Sequence, residues 1–166
     1  MRLFIIGAAG SGKTTLSREL GNLFNIKPVI LDDLFWDNSL NAYDIRRNES
    51  ERDKMLDEEI NKPIWIIEGA YVSWPLKAMR CADRIIYVNT PKGIINYRIW
   101  KRFIKRKLGF ENRTKKETLR GLFDLIKWNN NQMVEIDKLI MDLSKEKDVD
   151  IIRDKREIKQ LKENLL

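Results

Sequence analysis

Gly7-Ala8-Ala9-Gly10-Ser11-Gly12-Lys13-Thr14 is the stretch that decides how this chain reads. It follows the apolar run Leu3-Phe4-Ile5-Ile6 and leads into residues with helical spacing, so a strand precedes it and a helix follows. The pattern Gly-x-x-x-x-Gly-Lys-[Ser/Thr] in that setting is a phosphate-cradling loop. Its glycines let the backbone turn successive N–H groups inward as a nest for anionic oxygens. The following helix adds the positive end of its dipole at the same place. The reading assigns nucleotide binding to Gly7, Ala9, Gly10, Ser11, Gly12, Lys13, Thr14 and Thr15. Lys13 reaches the β- and γ-phosphates, and the Thr14 hydroxyl serves Mg²⁺. A nucleoside triphosphate, ATP or another, is the implied ligand.

Bulk properties narrow the alternatives. With 166 residues the chain suits one domain with a sizeable core. It shows no signal peptide and no apolar run of about 20 residues, so the expectation is a cytoplasmic protein without membrane contact. One cysteine, Cys81, fits a reducing compartment. With a single Cys and no His, a Cys/His zinc site and a histidine-dependent triad are both excluded. Phosphoryl transfer survives that exclusion, because it rests on positioning and electrostatics. The net charge of +7 is concentrated: residues 98 to 120 hold ten basic and two acidic side chains. Such a run reads as a polyphosphate clamp or a nucleic-acid patch.

Outward from the loop, Leu16, Leu20, Leu23 and Phe24 give a helix one buried stripe, and Asn25 stops it. Pro28 to Leu31 reads as a second strand, placed by its proline at a sheet edge or strand start. Asp32-Asp33 ends it. Ligands of open parallel sheets sit beyond the carboxyl ends of the strands. The pair is therefore either a set of site carboxylates or two turn-forming, capping aspartates. Phe35 and Trp36 follow, as packing or as cover for an acceptor pocket. A charged helix is expected from Tyr43 to Ile60, carrying Arg46, Arg47 and Arg52 as an anion clamp or as a solvated face.

Pro63 to Ile67 forms a third strand ending in Glu68-Gly69, with Tyr71 just beyond. A carboxylate there either holds water around Mg²⁺ or fixes the loop. Ala82 to Val88 is the fourth strand. Thr90 is expected as the N-cap and Pro91 as the first residue of an amphipathic helix. Tyr97, Ile99, Trp100, Phe103, Ile104 and Leu108 form its apolar side. Arg98, Lys101, Arg102, Lys105 and Arg106 lie opposite, and Gly109 ends it. Thr114-x-x-Glu117 caps a long helix with the seam Leu119, Leu122, Ile126, Asn129, Met133, Ile136, Ile140, Leu143. Asn129-Asn130-Asn131 are weak helix formers able to bend it. Val149 to Ile152 is a fifth strand, and Asp154-x-x-Glu157 caps a last helix.

Five strands interleaved with helices imply an α/β fold with a doubly wound five-stranded parallel sheet. The arrangement resembles the adenylate-kinase-like group of small P-loop kinases (P-loop NTPases of nucleoside/nucleotide kinase type). In that group an acceptor-binding region follows the second strand, and an arginine-rich lid precedes the fifth. The correspondence implies a single domain, 1–166. Its core is 1–31, 62–90 and 146–166, its acceptor region about 32–61, and its short helical lid about 98–117. The chain is most similar to bacterial DNA topology modulation proteins (FlaR type). The similarity lies in Leu31-Asp32-Asp33-Leu34-Phe35-Trp36, Trp65-Ile66-Ile67-Glu68-Gly69-Ala70-Tyr71 and Ala82-Asp83-Arg84-Ile85-Ile86. That group tends to have His before the Leu31-Asp32 match, Asp at the Glu68 position and Asn at the Ala70 position.

The resemblance implies in-line transfer of a γ-phosphoryl group from ATP to a small-molecule acceptor. Mg²⁺ would be held by Thr14 and, through water, by Glu68 or Asp32. Lys13, Arg102, Arg106 and Asp32 are the candidate catalytic residues. Arg98 and Arg113 join the nucleotide ligands, and Asp32, Asp33, Trp36, Arg46 and Tyr71 are the candidate acceptor residues. Carboxylates beside the transfer site favour a nucleoside or another hydroxyl compound over a monophosphate dianion. The competing reading is a nucleic-acid-associated protein, a polynucleotide kinase or a DNA binder, supported by the basic run. A monomer or a homodimer fits either reading.

Overall fold

The computed structural model of the protein describes residues 1–37, 45–109 and 118–166. In chain order the elements are β1 (Arg2–Ile6), α1 (Lys13–Phe24), β2 (Val29–Ile30), α2 (Leu31–Phe35), α3 (Glu49–Ile60) and β3 (Trp65–Gly69). They continue as α4 (Leu76–Cys81), β4 (Arg84–Val88), α5 (Lys92–Lys107), α6 (Leu119–Leu143), β5 (Val149–Ile152) and α7 (Lys155–Leu165). The five strands form one parallel sheet in the order β2-β3-β1-β4-β5. β1 lies at its centre, so both its faces are covered and its apolar run has no polar alternation. Phe4 and Ile6 face a core built with α2, α3, α4 and α6. Leu3 and Ile5 face a second core that includes Leu16 and Leu20 of α1 and Leu161 of α7. Each fully buried Phe or Ile contributes on the order of 1.5–3 kcal/mol.

Several boundaries differ from expectation, each for a local reason. β2 is only two residues long, at the sheet edge beside Pro28. Leu31, Asp32 and Asp33 do not close a strand; they open α2, where acidic residues in a first turn suit the helix dipole. α3 begins at Glu49 rather than near Tyr43, because Asn48 caps it by accepting from the Ser50 N–H. Arg46 and Arg47 therefore precede the helix, and Arg52 alone of the three lies on it. Tyr43, where that helix was expected to begin, lies outside the described residues. α4 was not expected, since six residues are too short to show a helical period.

α5 starts at Lys92, with the extended Pro91 as its cap residue. Thr90 does not cap it; its hydroxyl donates to the Ser11 carbonyl at 2.8 Å. The buried seam of α5 is Ile95, Ile99 and Phe103, while Tyr97, Ile104 and Leu108 are exposed. Gly109 does stop the helix in the left-handed conformation, at φ +78°. The Thr114–Glu117 cap, like Arg113, lies outside the described residues, and Thr118 caps α6 by accepting from Gly121 N–H. α6 runs as one helix through the three asparagines, with Leu119 exposed at its start. Among the described residues no helix is long and apolar enough to cross a membrane.

Candidate active site

The glycine-rich loop, residues 7–14, leaves β1 at the carboxyl edge of the sheet. Gly10 and Gly12 sit at φ +83° and +105°, where a side chain would strain the backbone. Gly12 is also the N-cap of α1 and offers no side chain to it. The first i-to-i−4 bond of the helix is Leu16 N–H to Gly12 carbonyl, at 3.0 Å. The N–H groups of Lys13, Thr14 and Thr15 are thus left at an uncapped helix start, the arrangement that receives phosphate. Two expected nest donors are committed elsewhere. The Ser11 N–H donates to the Ala8 carbonyl, and the Ala9 N–H donates to Asn129 Oδ1 at 2.9 Å.

The carbonyl side of the loop is held from outside. Arg98 Nη1 on α5 donates to the Gly10 carbonyl at 3.1 Å and to the Ser11 carbonyl at 2.8 Å. Thr90 reaches the same Ser11 oxygen. Asn129, fully buried on α6, also donates from Nδ2 to the Ala9 carbonyl at 3.0 Å. Arg98, expected as a lid cation on the phosphates, is placed here as a brace of the loop backbone. Thr90 and Asn129 escaped the sequence reading as site residues. The signal for Asn129 was present, an amide in an otherwise apolar helical seam.

Thr14 and Glu68 come together as expected. The Thr14 hydroxyl donates to Glu68 Oε1 at 2.5 Å, and Lys13 Nζ lies 3.9 Å from Oε2. Glu68 is 1% exposed, inside β3 rather than past its end. Burial pushes its carboxyl above the ordinary range, against the Lys13 ammonium and the Thr14 hydroxyl, and Asp32 adds to the rise. Oε2 finds no hydrogen-bond partner among the described residues. A hydroxyl beside a buried carboxylate with one unmatched oxygen suits Mg²⁺, which takes one or two protein oxygens and completes its shell with water and phosphate. Among the described residues no cluster of three or more acidic, Cys or His side chains offers a dedicated cage.

A cavity of about 910 Å³ opens from the loop toward α5 and the β5–α7 corner, a size suited to a nucleotide. Ile94, Arg98 and Arg102 line it from one side, and Ile152, Asp154 and Ile158 from the other. Arg102 thus faces this cavity. Arg106, one turn on, is not part of its lining.

On the other side of Glu68, α2 and the loop after β3 build a second cluster. The Tyr71 hydroxyl donates to Asp32 Oδ1 at 2.7 Å. Burial, then that bond, hold the phenol far above its ordinary value, so it stays protonated. Phe35 stacks on Tyr71 with ring centroids 4.9 Å apart, and Trp36 and Trp74 meet these rings edge-on or tilted. Arg46 lies 5.7 Å over Phe35, while its backbone bridges Trp36. Arg52, 8% exposed, lies 4.6 Å over Trp74 and pairs with Asp53. Arg47 instead holds the Leu34 and Trp36 carbonyls at the end of α2. Asp33, exposed one residue further round α2, joins none of these contacts. Trp74 extends the cluster beyond the expected residues, and Arg52, expected as an anion clamp or a solvated side chain, is instead buried against Trp74.

No protein-family model and no curated protein matches the chain. Solved structures do. The protein is similar to shikimate kinase from Bacteroides thetaiotaomicron, with a TM-score of 0.61 at 16% identity, over 99% of this chain and 98% of that one. It is also similar to an unliganded sugar kinase from Janibacter sp. HTCC2649, with a TM-score of 0.55 at 13% identity, over 99% and 91% of the two chains. At such identities the likeness is one of architecture alone, over nearly the whole chain.

Proposed function

We propose that the protein is an ATP-dependent kinase that transfers a γ-phosphoryl group to a hydroxyl of a small molecule. One observation carries the reading. The carboxyl end of β3 serves two sites at once, with Glu68 bound to Thr14 of the donor loop and Tyr71 bound to Asp32 of the aromatic cluster. Donor and acceptor groups thus meet across a single strand end. The two similar structures are named as kinases of shikimate and of a sugar, which agrees with a hydroxyl acceptor.

In the proposed reaction the acceptor oxygen attacks the γ-phosphorus in line. The new O–P bond forms as the bond from phosphorus to the β–γ bridging oxygen breaks, and ADP leaves with that electron pair. The acceptor proton passes to Asp32, whose Tyr71 hydrogen bond aims the carboxylate. Lys13, the uncapped N–H groups of α1 and Arg102 balance charge on the transferring group. When bound at Thr14 and Glu68, Mg²⁺ supplies Lewis-acid neutralisation of the phosphate oxygens. The nucleic-acid reading draws on the basic run of residues 98–120, while the DNA topology modulation likeness rests on the stretches 31–36, 65–71 and 82–86. The inward engagement of Arg98 and Arg102 takes part of that charge toward the donor cavity.

The test is an ATP-consumption screen over nucleosides, nucleotides and hydroxyl metabolites, with Lys13→Ala as the blank. Turnover that depends on one acceptor and vanishes in Lys13→Ala is the expected result. Equal signals in wild type and variant for every acceptor would sink the reading. Steeply salt-dependent DNA binding in a gel shift would favour the nucleic-acid alternative.

A further inference from the structure

Asn129 and Gln132 stand three residues apart on α6, so they share one face of the helix. Asn129 pairs with both polar groups of Ala9, its Oδ1 accepting from the N–H at 2.9 Å and its Nδ2 donating to the carbonyl at 3.0 Å. Gln132 donates from Nε2 to the Ala70 carbonyl at 2.7 Å. Ala9 belongs to the loop after β1 and Ala70 to the loop after β3, and these strands are paired neighbours. Ala70 directly precedes Tyr71, which holds Asp32.

We infer that α6 sets the spacing between the donor and acceptor loops, with Asn129 and Gln132 as positioning residues. The inference rests on the kinase reading above and deepens it. Asn129 has no exposed surface and lies beside the apolar cluster of Ala8, Ile99 and Leu122. Water has no access to replace its bonds, and a buried peptide group left unpaired is costly. A side chain that both donates and accepts at its tip is needed to match the N–H and C=O of one residue. Asn supplies it one methylene shorter than Gln. With the Ala9 peptide pinned, Gly10 and Gly12 turn from a fixed point, which aims the N–H groups at the start of α1. Gln132 holds the acceptor loop to the same helix, so a shift of one loop is felt by the other.

The experiment uses the full chain with MgATP as the probe. Calorimetric affinity and site-resolved amide exchange are measured well below the unfolding temperature for wild type, Asn129→Ala and Gln132→Met. Wild type binds, and MgATP slows exchange at residues 70–74. Asn129→Ala weakens MgATP binding about tenfold and speeds exchange at residues 8–12 while β4 stays protected. A merely structural role would lower the melting temperature and leave the affinity of the folded protein unchanged. Gln132→Met keeps MgATP affinity within twofold but loses the MgATP-induced protection at 70–74, and it keeps the inference testable if Asn129→Ala fails to fold. Unchanged affinity in Asn129→Ala, or unchanged protection at 70–74 in Gln132→Met, overturns the inference and leaves the kinase reading standing. Absence of MgATP binding in wild type instead removes the kinase reading, and this inference with it.

Discussion

Replacing Glu68 with Gln should make the free protein more stable and the nucleotide-bound protein less so. Glu68 is 1% exposed, and its Oε2 has no hydrogen bond among the described residues, so its charge is held at a cost. Burial lifts the carboxyl above its ordinary 4.5, even though Lys13 stands 3.9 Å away and Thr14 donates to it. The native state therefore keeps this proton to a higher pH than the unfolded chain does. Stability contributed by the protonated form is present below pH 4.5 and is lost as pH rises through the elevated native value. Glutamine does not titrate, so the gap between variant and wild type opens across that window. It widens by up to about 1.4 kcal/mol per pH unit. For a chain of this size that is roughly 3–5 °C in melting temperature per pH unit. Other titrating groups common to the two proteins cancel in the difference. The assay is a set of melting curves for both proteins from pH 4 to 8, in chelator and without nucleotide. Curves that run parallel over the whole range would refute the raised carboxyl. Repeating the melts with MgATP adds the second half. Wild type should gain about 2.7 kcal/mol at a hundredfold excess over the dissociation constant. The variant should lose about tenfold in affinity and hence about 1.4 kcal/mol of that gain. A variant stabilised as strongly as wild type would remove Glu68 from the metal and phosphate site.

Two further substitutions separate the roles of neighbouring groups. Thr90→Val keeps the side-chain shape but removes one of the two donors to the Ser11 carbonyl. It should cost about 1 kcal/mol, or roughly 2–4 °C in a thermal melt, and lower kcat/KM for ATP several-fold. An unaltered kcat/KM would reduce Thr90 to a packing residue. Tyr71→Phe removes the hydroxyl that donates to Asp32 and aims its carboxylate. With the acceptor found in the screen, kcat should fall about tenfold while KM for ATP holds within about twofold. An unchanged kcat would mean that this bond does not position the base.

The fold was legible because β1, β3 and β4 are each built on an apolar run and the loop after β1 carries its own glycine signature. The same clarity did not extend to α2 and α4. Each is five or six residues long, and apolar periodicity needs more than one turn to declare itself. Lys13, Thr14 and Glu68 are readable as a set, because a motif places the first two and a strand end the third. Thr90 and Pro91 were misread. Their dipeptide suits a helix cap, and only tertiary contact with a loop 79 residues away decides that the hydroxyl serves Ser11. Arg46 and Arg47 were placed on a helix that Asn48 caps after them. Capping competes with charge patterning there, and the cap wins because it satisfies a backbone donor.

Those misreadings bear on what the loop's variable positions encode. Gly12, Lys13 and Thr14 present groups to the phosphate side, but Gly7, Ala8, Ala9 and Ser11 answer to the protein behind them. Ala8 packs in a small cluster with Ile95, Ile99, Phe103 and Leu122 of the two helices that close over the loop. A Cβ on Gly7 would sit 2.7 Å from Ser11 Oγ and 2.9 Å from the Val88 carbonyl, so β4 forbids any side chain there. Ala9 is matched group for group by Asn129, and the Ser11 carbonyl is shared by Thr90 and Arg98. A peptide whose carbonyl is held outward has its own N–H constrained in the same plane. Bracing the carbonyls from α5 and α6 is therefore a way of aiming amides that those helices never touch. On this reasoning the small residues of the loop are small because two helices lean on them, and the specificity of the nest is written partly between residues 90 and 129.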